Sequence, residues 1–381
     1  MKAMRSILLL GLTAVLSACA RGVDHPVEDY RRVADYKDKF EVCCLSDIHL
    51  SLLSDTDYEF NYLKHVIYSN VLLLNNDEDD ANDVKVDGKK IDIATATNEQ
   101  LKAYAPDVIV LNGDVFQTGD KSVVRRFFSW IDSLDIPFAF LYGNHDLHGL
   151  YGEKFVEQEV MKCKNSLLIN PHDTVFGDCN YYLDLKSGDD VKWQLIFVDS
   201  NTYYGLDYDV VHDNQIDWYQ KVVEESNKAP NLTFFHIPFE EFEKAWQYEF
   251  KGKAHPENGG DYAGPSDCWM EDTGVAKGYR ENEFFEKMEE LGATKGVICA
   301  HDHTNNTDFY YREKGAEPIR LIYGTKTGHG IYHDTKIMGC DFYYLNADET
   351  FTRKRVNVQY ENPEDAFVMT SRYINSGGKE R

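Results

Sequence analysis

Positive charge is what this sequence has least of. It carries 40 Lys and Arg against 65 Asp and Glu in 381 residues, a formal net charge of −25. Phosphate backbones are gripped by Lys and Arg, so general nucleic-acid binding is not expected. Long apolar runs are missing too. The run from Ile7 to Leu16 falls well short of the roughly 20 residues a membrane span needs. No internal repeat is evident. Cysteine is sparse, with eight residues, and none has zinc-finger spacing. The Asp- and Asn-rich stretch from Leu72 to Asp92 lacks the glycine and terminal glutamate of an EF-hand, so it reads as a solvated loop. What is present suffices for a large core: 43% hydrophobic and 13% aromatic residues.

The amino terminus carries a processing signal. Met1-Lys2-Ala3-Met4-Arg5 is basic, the apolar run follows, and Leu16-Ser17-Ala18-Cys19 closes it. Leu, two small residues and Cys resemble the bacterial lipoprotein cleavage box. That resemblance implies loss of residues 1–18, lipid modification of Cys19, and a membrane-anchored protein outside the cytoplasm. In a two-membrane cell, the lack of Asp after Cys19 favours the outer membrane. An ordinary secretory signal that happens to contain Cys is the plainer alternative. Residues 19–39 would then be a polar tether, residues 40–360 the folded domain, and residues 361–381 a frayed polar tail.

Six short apolar runs follow: Phe40 to Leu45, Val108 to Leu111, Phe138 to Leu141, Leu195 to Val198, Leu232 to Phe235 and Val297 to Cys299. They lack polar–apolar alternation, so they read as strands buried on both faces. Helical periodicity marks Ser122 to Leu134, Gln215 to Ser226 and Arg280 to Leu291. Five polar clusters sit just beyond apolar runs. They are Asp47-Ile48-His49, Asn112-Gly113-Asp114, Gly143-Asn144-His145-Asp146, Phe235-His236-Ile237-Pro238 and His301-Asp302-His303. Loops at strand carboxyl ends are where layered α/β folds build their sites.

Taken singly, each cluster has a bland reading. Asp47-Ile48-His49 and Asn112-Gly113-Asp114 read as turns. Gly143-Asn144-His145-Asp146 reads as a tight loop, and His236 as a satisfied half-buried histidine. Their conjunction, in order and each after a strand, points instead to a pair of divalent cations. Imidazoles and carboxylates suit Zn, Mn and Fe(II). A carboxylate between two cations offsets their repulsion. Such a pair lowers the pKa of a bridging water and stabilises charge in an in-line displacement at phosphorus.

In this order the five clusters resemble the signature of the calcineurin-like metallophosphoesterases, from about Phe40 to about Val358. The short proteins related to purple acid phosphatases are the most similar branch, through Phe235-His236-Ile237-Pro238 and the return loop Tyr323-Gly324-Thr325-Lys326-Thr327-Gly328-His329-Gly330. The resemblance implies a four-layer α-β-β-α sandwich, two packed sheets flanked by helices. It implies that Asp47, His49 and His303 hold one metal, that Asn144, His236 and His301 hold the second, and that Asp114 bridges them. His145 would be catalytic, with Asp146 orienting it. The reaction would be hydrolysis of a phosphomonoester or phosphodiester by a hydroxide bridging two divalent ions (Mn, Zn or Fe). Two departures stand out. The usual Gly-His-x-His is Ala300-His301-Asp302-His303, and the iron-binding Tyr of purple acid phosphatases, three residues beyond the bridging Asp, is Gln117. The latter implies a site without ferric iron bound to tyrosinate.

Other residues carry weaker expectations. His148 lies near the third cluster and His329 in the return loop, so both are candidates for substrate contact. His25, His65, His172, His212 and His255 read as surface or loop histidines. Cys43, Cys44 and Cys299 fall in buried runs and read as apolar thiols. Cys163 and Cys179 could pair in an oxidising compartment. The segment Phe239 to Lys277, directly after His236, is placed to cap the site and select substrate. Against the phosphoesterase stand two other readings: a lipid-anchored metal- or ligand-binding protein that keeps the fold without turnover, and an Asp-rich protein that binds Ca²⁺ structurally.

Overall fold

A computed structural model describes residues 25–70, 83–86, 89–93, 95–148, 152–172, 175–250, 274–314, 317–333, 337–359 and 368–374. The lipoprotein box, Cys19 and His255 therefore lie outside the described residues. So does most of the Phe239–Lys277 segment, including Gly259, Gly260, Tyr262 and Trp269.

The expected buried runs are strands in the places assigned to them. β1 (Arg31–Asp35), β2 (Phe40–Leu45), a hairpin of β3 (Asp83–Val86) with β4 (Lys89–Asp92), β5 (Val108–Asn112), β6 (Phe138–Leu141), β7 (Tyr181–Ser187) and β8 (Asp190–Phe197) come first. A second hairpin, β9 (Tyr203–Tyr204) with β10 (Asp207–Tyr208), precedes β11 (Asn231–Phe234), β12 (Thr294–Cys299), β13 (Asp308–Tyr311), β14 (Ile319–Tyr323), β15 (Gly339–Leu345), β16 (Phe351–Gln359) and β17 (Val368–Ile374). They form a seven-stranded sheet, β1-β7-β8-β11-β12-β14-β13, and a six-stranded sheet, β17-β16-β15-β2-β5-β6.

Within these sheets β2, β5 and β6 run parallel, as do β8, β11, β12 and β14. Parallel strands bury both faces, which is why their sequences read as unbroken apolar runs. Helices α1 (Thr56–Ile67), α2 (Lys121–Ser133) and α3 (Gly152–Val160) pack with the six-stranded sheet and one another. On the seven-stranded side lie α4 (Asp213–Glu225), α5 (Glu241–Phe250) and α6 (Phe284–Leu291). The fold is thus two sheets flanked by helices, as the family resemblance implied.

Five expectations need correction. The stretch assigned to a tether contains β1, which pairs in parallel with β7 and so belongs to the domain. The tail contains β17, an antiparallel partner of β16. The Asp-rich segment includes the β3–β4 hairpin. The helix expected from Arg280 begins at Phe284, after Asn282 Oδ1 has accepted the Phe284 N–H. Cys163 and Cys179 are free thiols: Cys179 is buried and its sulfur accepts from Tyr142 N, while Cys163 faces the Phe128 and Glu159 carbonyls.

Apolar packing between the sheets is supplemented by a buried ionic staple. Asp308 on β13 takes Arg320 Nε and Nη2 at 2.6 and 2.8 Å and Arg353 Nη1 at 2.8 Å. Arg353, on β16 of the other sheet, also reaches Asp341 Oδ1 at 2.8 Å and the Tyr323 carbonyl at 2.9 Å. Asp341 in turn accepts Thr325 N, the start of the return loop after β14. Each charge has a partner, which is the condition under which buried ions are tolerated. Truncating one member strands the rest. Asp308→Ala should cost about 3–5 kcal/mol of stability, read as a lower midpoint in urea unfolding; an unmoved midpoint would show that the staple holds nothing.

Candidate metal centre

Five of the parallel strands from both sheets end at one place. Asp47 and His49 follow β2, Asp114 follows β5, Asn144 follows β6, His236 follows β11, and His301 and His303 follow β12. All seven are buried, none more than 7% exposed. Bringing their side chains together strains the turns: Asp47, His49, Asp114 and His301 have φ of 51°, 55°, 52° and 77°. Non-glycine residues avoid this left-handed region, at a cost of about 1–3 kcal/mol each, and such strain collects at functional sites. Two glycines make room for the crowding. A Cβ at Gly113, itself at φ 85°, would overlap the His236 ring, and one at Gly143 would overlap the Asp114 carboxylate.

The side chains converge in two overlapping groups, Asp47, His49, Asp114 and His303 in one and Asp114, His236 and His301 in the other, with ligand atoms within 4.8 Å of one another in each. Asp114 belongs to both. His49 Nε2 lies 2.9 Å from His303 Nε2 and 3.5 Å from Asp114 Oδ2. His236 Nε2 lies 3.3 Å from Asp114 Oδ2, and His303 Nε2 3.5 Å from Asp47 Oδ1. Asn144 sits beside them, its Nδ2 donating to the Tyr203 hydroxyl at 3.0 Å.

Two of the imidazoles are aimed from behind. The Asn112 carbonyl holds His236 Nδ1 at 3.0 Å and the Tyr332 carbonyl holds His303 Nδ1 at 2.9 Å. Each carbonyl accepts the Nδ1 proton and aims Nε2 into the cluster, as in known metal sites.

The donors fit a pair of cations. Asp47 Oδ1, Asn144 Oδ1, His236 Nε2 and His301 Nδ1 are buried with no hydrogen-bond partner among the described residues. Orphaned buried polar atoms are rare, and four at one point are what ion ligands look like without their ion. The set is imidazole, carboxylate and amide oxygen, which suits Zn, Mn or Fe(II) better than Ca²⁺.

The protonation states follow from burial against charge. Burial pushes both aspartates up, but His303 and His49 outweigh it at Asp47 and His236 does so at Asp114, holding each well below the usual carboxylate range. Burial lowers His49 to about 4 and His301 to about 3, leaving them neutral and free to ligate. At His236 burial is outweighed by Asp114 and Asp47, which lift it to about 10.

The third cluster is arranged differently from the expectation. Asp146 does not orient His145. Its two oxygens accept Phe116 N and Gly143 N, both at 2.8 Å, tying the β5 and β6 loops together. Burial and the nearby Asp114 raise its pKa to about 8. His145 is held by Gln117, whose Nε2 lies 3.1 Å from His145 Nδ1. Its ring centre is 5.0 Å from that of His49 and 4.9 Å from that of His148. His148 stacks on Tyr203. His329 turns to Glu59 of α1, with its Nδ1 3.0 Å from the carboxylate, and packs on Tyr62. His65, expected at the surface, is buried in α1.

The sequence reading passed over three contributors. Lys326, 2% exposed, donates to the Asp47 carbonyl at 2.7 Å, and burial lowers its pKa to about 8. Asp302, between the two histidines, accepts Tyr323 OH at 2.6 Å and Ala276 N at 3.1 Å. Tyr203 lies far from any cluster in sequence, and no spacing marks it.

The chain belongs to the calcineurin-like phosphoesterase family, whose model matches residues 40–305. It is similar to an Arabidopsis thaliana protein named probable inactive purple acid phosphatase 29, 28% identical over 263 residues, covering 61% of this chain and 62% of that one. The chain thus spans under two thirds of that relative's length. It is also 26% identical over 145 residues to a Synechococcus protein named probable cyclic nucleotide phosphodiesterase, covering 38% of this chain and 48% of the other. Among solved structures, a dimetal phosphatase from Danio rerio aligns with 90% of this chain and 98% of its own, at 12% identity and a TM-score of 0.44.

The lifted pKa of His236 has a measurable consequence. Metal must displace its proton at pH 7, so loading the stripped protein should release at least one proton per chain, and affinity should rise with pH up to about 10. Calorimetry in buffers of differing ionisation enthalpy reads this directly. Metal uptake without proton release would mean His236 is already neutral.

Proposed function

We propose that this protein hydrolyses phosphate esters at the centre built on Asp114. Asp47, His49 and His303 would hold one divalent cation, and Asn144, His236 and His301 the other, with Asp114 between them. Two such cations supply the positive charge that draws a proton from water near neutral pH and offsets charge on phosphoryl oxygens. The observation that carries this reading is the overlap of two ligand groups on one buried carboxylate.

His145 would act on the ester itself. The Gln117 amide nitrogen can only donate, so His145 Nδ1 accepts and the neutral ring carries its proton on Nε2. Burial holds its pKa below the ordinary histidine value, which keeps the ring neutral at pH 7. Nε2–H would then donate to a phosphoryl or leaving oxygen. Monoesters and diesters both remain within reach of this chemistry.

The test is hydrolysis of p-nitrophenyl phosphate and bis-p-nitrophenyl phosphate by the metal-stripped chain, then with Mn²⁺, Zn²⁺ or Fe²⁺ restored. Metal-dependent turnover should vanish in Asp114→Asn. It should fall by about 10²–10⁴ in His145→Ala with metal content unchanged. An unaltered rate in His145→Ala would remove His145 from the chemistry.

A second reading is favoured by the name of the plant relative, which is called inactive. It is a lipid-anchored metal- or ligand-binding protein that keeps the fold without turnover. Two bound metals with no hydrolysis of either ester would favour it. The location proposed for either protein is outside the cytoplasm, on a lipid at Cys19, from the Leu16–Cys19 box. Cys19→Ser should then leave the membrane fraction; a variant that stays there would refute the anchor.

A further inference from the structure

An asparagine offers a cation only one of its two terminal atoms. Oδ1 can ligate, while the Nδ2 amide hydrogens repel a positive charge. Something must therefore set which way the Asn144 amide faces. That group is the hydroxyl of Tyr203, which accepts Nδ2 at 3.0 Å, and Asn144 Oδ1 is left buried with no hydrogen-bond partner.

Tyr203 belongs to the β9–β10 hairpin, and so does Tyr208. The two rings stack at 5.3 Å, and Tyr208 meets His301 edge-on at 4.3 Å. One short hairpin thus touches Asn144 and His301, both assigned to the same metal position. The hairpin is braced in turn. Asp209 N donates to the Thr202 carbonyl, Tyr279 N donates to the Tyr208 carbonyl, and the Tyr204 and Tyr279 rings stack at 4.3 Å. Tyr279 lies just beyond Ala276, whose N–H is held by Asp302 between the two ligand histidines. The end of the segment that follows His236 therefore supports the hairpin from outside.

We infer that Tyr203 is a positioning residue for the second metal: its hydroxyl locks the Asn144 amide with oxygen toward the cation, and the hairpin carries it there. This rests on the reading of Asn144 as a ligand, and it goes further by naming what makes that ligand competent. Tyr203 is 41% exposed, so removing its hydroxyl alone leaves the packing in place.

The test is Mn²⁺ titration of the metal-stripped full chain by calorimetry, with electron paramagnetic resonance at two equivalents. Wild type should bind two ions and show the coupled signal of a dinuclear pair. Tyr203→Phe should bind the first ion as wild type does and the second about 10–100-fold more weakly, the usual penalty for losing a group that orients a ligand. The coupled signal should give way to that of isolated Mn²⁺. In an Asn144→Asp background both terminal atoms are oxygens, so adding Tyr203→Phe should change the second affinity by less than about twofold. Two ions bound by Tyr203→Phe at wild-type affinity would overturn the proposal. So would an equal loss in the Asn144→Asp background, because it would show that the hydroxyl acts on something other than amide orientation. Wild type that binds fewer than two ions would instead bring down the two-metal reading on which the proposal stands.

Discussion

Asp47 and Asp114 are buried side by side in one group of ligand atoms within 4.8 Å of one another, and the surroundings are arranged around that fact. Two ionised carboxylates at this separation in a medium of low dielectric repel strongly. Without positive charge between them, one would be expected to stay protonated, as in carboxylate pairs that share a proton. Here both are held below the ordinary range by histidines, and His236 keeps its own proton to do it. The metal-free protein thus uses imidazolium where the loaded protein would use cations. The backbone carbonyl of Asn112 holds the His236 ring in place through Nδ1.

Such a cluster survives only if the scaffold cannot relax it. The candidate ligands come from two sheets, so any sliding between the sheets would separate Asp47 and Asp114 from His236, His301 and His303. The Asp308–Arg320–Arg353–Asp341 staple crosses that interface, and Asp341 extends it to Thr325 at the root of the return loop. Lys326 then closes the circuit by binding the Asp47 carbonyl. The strained left-handed turns at Asp47, His49, Asp114 and His301 need this kind of rigid frame. Charge at the site and charge between the sheets are parts of one arrangement, the second keeping the first in register.

The sequence carried the strands and their terminal clusters well, because a strand buried on both faces leaves an unbroken apolar run and a ligand leaves a polar residue at its end. It carried the edges poorly. β1 has the polar sequence Arg31-Arg32-Val33-Ala34-Asp35 and borders the sheet, so only its backbone pairing with β7 makes it a strand. β17 is likewise an edge strand of the other sheet. The residues behind the ligands were also hidden. Tyr203, Asp302 and Lys326 act through a hydroxyl, a carboxylate and an amine placed by tertiary contact, and one sequence offers no spacing that would mark them. Asp146 was legible as a member of the site but not in its part. Adjacent to His145 in sequence, it points instead at Phe116 and Gly143.

Position 117 shows why the departure from the purple acid phosphatase pattern matters to more than metal choice. Burial pushes a phenol's pKa up, so a tyrosine ligand there needs a strongly charged cation to lose its proton. Gln117 makes no such demand. It also has a second use that a ligating phenolate could not serve, since its amide nitrogen meets His145 Nδ1 and sets the ring's tautomer. A tyrosinate oxygen bound to iron has no proton to give that nitrogen, so His145 would need another partner or would carry its proton on the other side. The exchange of Tyr for Gln therefore moves residue 117 from holding a metal to aiming the histidine beside it. In this chain the group that orients His145 comes from the loop of Asp114 rather than from its own neighbour, coupling the Asp114 carboxylate and the proposed proton donor through three residues of backbone.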